Sequence, residues 1–160
     1  QGNSELGLCS NLSPDDPALC SLEQRVIHKE PVGLIVGKNH PFAHRSVVPV
    51  EDLRDERFIV YIRSFRGTNQ MLYDLCAPYG FEPNIVMEAY NDYGVLNSVA
   101  SGDGIAIIPT TRFLERPDVV RIPLDLKEPL MRDLTLVWRK NEKLPPAAAA
   151  FRDMLISTAQ

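Results

Sequence analysis

The stretch "RFIVYIRSFRGTNQMLYDLCAPYGFEPNIVMEA", residues 57–89, constrains the fold more than any other part of the chain. Arg57 to Ile62 is a continuous, β-branched apolar run bounded by charges, the pattern of a strand covered on both faces. Met71, Leu72 and Leu75 then recur at helical spacing, with Thr68 placed as N-cap and Gly80 just beyond the helix end. "NIVMEA" follows as a second strand. Strand, helix and strand in this order form a crossover unit, and a crossover joins parallel strands of one sheet. A unit of the same kind comes next. "NDYGVLNSVASG" puts Tyr93, Leu96, Val99 and Ala100 on one helical face, with Asn91 or Asp92 as cap and Gly102 or Gly104 as the left-handed exit. "IAIIP" is then a buried strand stopped by Pro109.

The flanks supply further strands. "SELGLC" and "DLTLVWRK" alternate or run apolar, and Val32 to Val36 is β-branched, with Pro31 near its start where a missing N–H is tolerable. Val50 to Leu53 reads as a helical turn, and "TTRFLERPDVVRIPLDL" as a short helix and an edge strand. "PPAAAAFRDMLISTA" closes the chain as an amphipathic helix with prolines at its N-terminus. The fold class is therefore α/β with open, mainly parallel sheets.

With 160 residues, 44% hydrophobic and 24% charged, the chain can bury a core in one domain or two small lobes. A formal net charge of −4 leaves no basic footprint, so DNA contact would require a segment outside this sequence. The longest apolar runs are strand-length, which predicts no membrane span. No basic region followed by an apolar stretch opens the chain, and Gln1-Gly2 reads as the remnant of a cleavable expression tag. Cys9, Cys20 and Cys76 form no CxxC pair and read as buried, reduced thiols of a cytoplasmic protein. His28, His40 and His44 lack a second ligand cluster at metal spacing, so no metal site is expected.

Gly102-Asp103-Gly104 is not a phosphate cradle. A dinucleotide loop follows a strand and opens a helix, whereas here a helix ends and a strand begins, so the amide dipoles point away. Catalysis also lacks a candidate: there is no G-x-S-x-G elbow, Cys76 sits within a helical pattern, and Glu51/Asp52 and Asp15/Asp16 fall in polar loops as solvated charge. The chain reads as neither an enzyme nor a cofactor carrier. The better site is the turn "RSFRGTNQ", Arg63 to Gln70, where Ser64, Thr68 and free amides gather at the carboxyl edge of a parallel sheet. These groups suit a carboxylate or another small polar anion, with charge from Arg63 or Arg66; the bland alternative is that Thr68 only caps its helix and the arginines are solvated.

Three motifs occurring in order carry a resemblance. They are His-Pro-x-Ala at His40 to Ala43, Gly-Phe-x-Pro at Gly80 to Pro83, and Val-x-x-Gly-x-Gly-Ile-x-x-x-Pro at Val99 to Pro109, with "LTLVWRKNEKLPPAAAAFRDML" last. Together they closely resemble the effector-binding domain of LysR-type transcriptional regulators. The resemblance implies a two-lobed fold like type 2 periplasmic binding proteins, with lobe I formed by residues 1–57 and 134–160 and lobe II by 58–133. It implies a small, anionic effector in the interlobe cleft, contacted by Ser64, Phe65, Thr68, Pro109 and Thr110 from lobe II and Ser10 and Asn11 from lobe I, with Asn91 to Tyr93 as weaker candidates. It further implies a cytoplasmic homodimer or homotetramer that reaches DNA only through an N-terminal winged helix-turn-helix absent from this sequence. The first strand and helix of lobe I are absent too, so lobe I is expected to be incomplete and its apolar sheet face under-covered. The competing readings are a transporter's solute-binding protein and an enzyme sharing that fold.

Overall fold

The computed structural model describes residues 4–10, 19–62, 66–110 and 116–159, with the side chains of 66–68 left aside. It divides into two compact units: unit 1 from Gln1–Glu30 and Arg132–Gln160, and unit 2 from Pro31–Met131. The elements in chain order are β1 (Leu6–Ser10), β2 (Leu22–Gly37), β3 (Arg57–Tyr61), α1 (Arg66–Cys76), β4 (Asn84–Ala89), α2 (Asp92–Ser101), β5 (Ala106–Pro109), β6 (Val119–Ile122), β7 (Met131–Arg139) and α3 (Pro146–Thr158). Strands β2 and β7 each run from one unit into the other.

Unit 2 is built around the apolar run of β2. Leu34 pairs with Ile107 of β5 on one edge and with Ile122 of β6 on the other, both antiparallel, so it is central and fully buried. β3 and β4 pair in parallel from Arg57↔Asn84 to Tyr61↔Ala89, as the crossover requires. Alternation along β2 and β3 sends Leu34, Val36, Phe58 and Val60 into one apolar cluster and Ile35, Ile59 and Tyr61 into another. Leu72 and Leu75 of α1 complete the first cluster, and Val95, Leu96 and Val99 of α2 the second. β3 is thus covered on both faces, as its sequence predicts. β4 is not: Val86 and Met87 remain exposed at the sheet's edge.

Local chemistry explains the motifs. In the His-Pro-x-Ala stretch, His40 Nδ1 accepts from Phe42 N at 3.2 Å and caps a 3-10 turn over Pro41–His44 that seats Phe42 in the core. α1 passes into a second 3-10 turn, Ala77–Tyr79, which Gly80 ends at φ 71°. Arg54 donates to the carbonyls of Tyr79 (2.7 Å) and Gly80 (3.1 Å) and lies over the Phe81 ring, so a cation closes that C-terminal end. Asn91 is the cap of α2, and Gly102, at φ 84°, is its left-handed exit. Gly104 serves differently: a Cβ there would lie 2.4 Å from Arg57 O, where β3 and the entry to β5 approach.

In unit 1, β1 pairs antiparallel with β7 from Leu6↔Trp138 to Ser10↔Leu134. α3 opens with Pro146 at its first position, where no N–H is needed. Both core clusters belong to unit 2. Leu8, Val26, Phe151 and Met154 of unit 1 are exposed, and α3 buries no residue fully.

Two expectations are corrected. The sheets are not mainly parallel among the described strands: β1–β7, β2–β5 and β2–β6 are antiparallel, because only segments linked by a crossover must run alike. The compact units themselves meet in the chain at Glu30/Pro31, and Val32, Leu34 and Val36 share one core with Phe58. Thr68 is not the cap of α1, which begins at Arg66; it is the third helical residue.

Candidate functional site

The candidate site is the carboxyl edge of the unit 2 strands. β3 and β4 run the same way, and the parallel bridge Phe58↔Ile105 sets the entry to β5 in that direction too, through Ile59 N→Ile105 O and Ile105 N→Arg57 O, both 2.8 Å. The three strands therefore end together, at Tyr61, Ala89 and Pro109. α1 follows the first and α2 the second, so both helices begin at this edge and direct their leading N–H groups and positive dipole ends to it.

The two helix starts differ. At α2, Asn91 Oδ1 accepts from Gly94 N at 2.9 Å, and the Asp92 carboxylate, in the first turn, accepts a hydrogen bond from the Tyr61 hydroxyl. That positive end already holds an anion. At α1 the first turn contains no acidic residue. Asn69 Nδ2 donates to Tyr61 O at 2.7 Å, tying the helix back to the end of β3. Of the two helix starts, that of α1 is thus the one without an acidic residue in its first turn.

The expected site residues fall as follows. Thr68 lies in the first turn of α1. Ser64, Phe65 and Asn11 lie outside the described residues. Pro109 ends β5, paired with Val32. Thr110 is 1% exposed, and its amide (2.9 Å) and hydroxyl (3.0 Å) both donate to Pro31 O. Its hydroxyl thus anchors β5 to the chain entering β2. Ser10 ends β1 of unit 1. Among the weaker candidates, Asn91 is occupied as a cap, whereas Tyr93 stands 75% exposed. Sequence reasoning missed Tyr61 and Asn69, which fix the edge, and Tyr90, which is 80% exposed beside α2. A tyrosine ending an apolar strand was the available signal, since its hydroxyl must find a partner when the ring is buried.

The chemistry of the edge is binding chemistry: amides, a helix dipole and hydroxyls. Cys76 ends α1 fully buried, and burial pushes its thiol from 9.0 up to about 11, the reverse of an activated nucleophile. Elsewhere, Arg116 grips Asp118 with two nitrogens (2.9 and 2.6 Å), holds that carboxyl below its ordinary range, and reaches Asn97 of α2 at 2.9 Å. Both partners of this brace are structural.

The family model of the LysR substrate binding domain matches residues 10–160. The chain belongs to that family. Among curated relatives, the transcriptional dual regulator GltC of Bacillus subtilis is 26% identical over 147 residues, covering 91% of this chain and 48% of GltC. This LysR-family chain spans about half the length of the curated relatives it matches. Those relatives are transcriptional regulators, which favours the regulator reading over a transporter component. Among solved structures, the effector-binding domain of QuiR in complex with shikimate aligns at TM-score 0.85 and 22% identity over 97% of this chain and 71% of that one. The Synechocystis PCC6803 CcmR regulatory domain in complex with 2-PG aligns at TM-score 0.84 and 19% identity over 99% and 74%. These likenesses establish the LysR effector-domain fold, of type 2 periplasmic-binding-protein kind. No helix among the described residues is long and apolar enough to cross a membrane.

Proposed function

We propose that this LysR-family domain is the ligand-sensing part of a bacterial transcriptional regulator, and that it binds a small anionic metabolite at the carboxyl edge of the unit 2 strands. The observation that carries the reading is the family match over residues 10–160, supported by a first turn of α1 that holds no acidic residue. The amides of the first turn of α1, with the hydroxyls of Thr68 and Ser64, hold the anion, and Phe65 and Pro109 supply apolar contact. Binding shifts the population of conformers of a homodimeric or homotetrameric cytoplasmic regulator. DNA is held by a helix-turn-helix outside this sequence, and the domain catalyses no reaction.

The test is a thermal-shift screen of small carboxylates and phosphorylated acids, run on this chain and on a version extended upstream to the length of its relatives. One compound should raise the melting temperature saturably, and Thr68→Ala and Ser64→Ala should each weaken its binding by about tenfold, the worth of one hydrogen bond to a charged group. A screen without a saturable shift in the extended protein rejects the reading, as does a ligand whose affinity both variants leave unchanged.

A further inference from the structure

The chain passes between its units on a two-stranded ribbon of β2 and β7, neighbours in the sheet. Val32 N donates to Leu130 O at 2.8 Å, Glu30 pairs with Arg132 at 2.7 Å, and Lys29 faces Asp133 at 3.5 Å. Numbers fall on one strand as they rise on the other, so residues 29–32 and 130–133 are antiparallel in one register, whereas Lys140 N donates to Ser21 O, one residue out of that register, at the far end. Successive residues point to opposite faces, and the two ion pairs accordingly lie one on each face. The Glu30 side chain is 8% exposed and that of Arg132 19%, whereas Lys29 is 61% exposed.

On its unit 1 side apolar burial marks the register on one strand only, where β7 buries Thr135, Leu136 and Val137. From Leu22 to Lys29, β2 has no buried residue, and a strand that is polar or exposed on both faces is prone to slip. The charges supply what the apolar pattern does not. A slip of one residue in one direction sets Lys29 opposite Arg132; a slip in the other sets Glu30 opposite Asp133. Either brings like charges together. The buried pair is not arranged for maximal stability, because Arg132 Nε is buried without a partner and one arm of the fork goes unused.

We propose that Lys29-Glu30 and Arg132-Asp133 form a charge-swapped register lock on the ribbon joining the two units, with the Glu30–Arg132 pair as its principal element. The lock disfavours both neighbouring registers and so fixes which residue of each strand stands at the crossing.

Amide hydrogen exchange across residues 22–34 and 128–139 tests this, with Val32 N–H as the register reporter. Arg132→Glu and Glu30→Arg should each speed exchange there by about tenfold or more, since each leaves a buried like-charge pair. The double swap Glu30→Arg with Arg132→Glu should restore protection to near the parent's. Should the single variants fail to fold, the double swap should still fold, and a swap that fails with them overturns the lock. So does a double swap no better protected than the worse single variant, or single variants whose ribbon exchanges at the parent's rate. Lys29→Glu, on the exposed face, should give a smaller loss that Asp133→Lys relieves and salt diminishes; a loss that Asp133→Lys deepens overturns the pairing on that face.

Discussion

Single residues in unit 2 carry sharply different constraints. Gly102 and Gly104 stand two apart, yet one is fixed by conformation and the other by space. Gly102 has φ 84° with nothing within 4 Å of an added Cβ, so Gly102→Ala should cost about 1 kcal/mol of stability. At Gly104 the added carbon meets backbone at 2.4 Å, and Gly104→Ala should cost about 3 kcal/mol as β3 and β5 are forced apart; chemical denaturation of both variants measures the order. Cys76 makes a prediction in pH. Its folded thiol is raised from 9.0 to about 11, so the folded state keeps a proton that the unfolded chain releases. The stability this contributes is complete below about pH 9 and is lost as pH rises towards 11. Melting curves from pH 8 to 11 should fall more steeply for the parent than for Cys76→Ala, and alkylation of Cys76 at pH 8 should require unfolding.

Elements were legible where local chemistry and burial agree. β3, with Phe58 to Tyr61 all buried, needed no context, and the Asn91 cap follows from a short polar side chain ahead of an apolar helix. Asn91→Ala should destabilise α2 by about 1 kcal/mol while Asn91→Asp should be near neutral, as thermal melting would show. The N-terminal half of β2 was not legible because its partner, β7, lies a hundred residues away and its residues are exposed on both faces. Antiparallel pairing of β5 and β6 with β2 was hidden for a related reason: a strand's direction depends on where the chain returns, and no short turn records it here. Thr68 shows the limit of capping signals. A hydroxyl near a helix start suits the cap and the first turn alike, and the carboxamide that ties this start to the end of β3 comes from Asn69, one residue on.

At the scale of the whole molecule, ordered motifs identified the family that no single motif could, and they pointed to the edge where α1 and α2 begin. Amides and a helix dipole accept any small oxyanion of the right reach, so the identity of the proposed ligand is not legible in that edge. Stability should be unequal across the chain. Both apolar clusters lie in unit 2, whereas Leu8 and Val26 of unit 1 are exposed. Native-state hydrogen exchange should therefore find the slowest amides in β2, β3 and β5 of unit 2 and markedly faster exchange in β1, a pattern that uniform global unfolding would not give. The pairing of β1 with β7 has one more consequence, and it concerns time. The two strands flank unit 2 in the chain, so during synthesis β1 is made before that unit and its partner after it. Unit 2 can collapse while still attached to the ribosome, but β1 must wait for β7 until all of unit 2 has been made. The unit that is least buried when folded is thus also the one whose strands are made furthest apart in time.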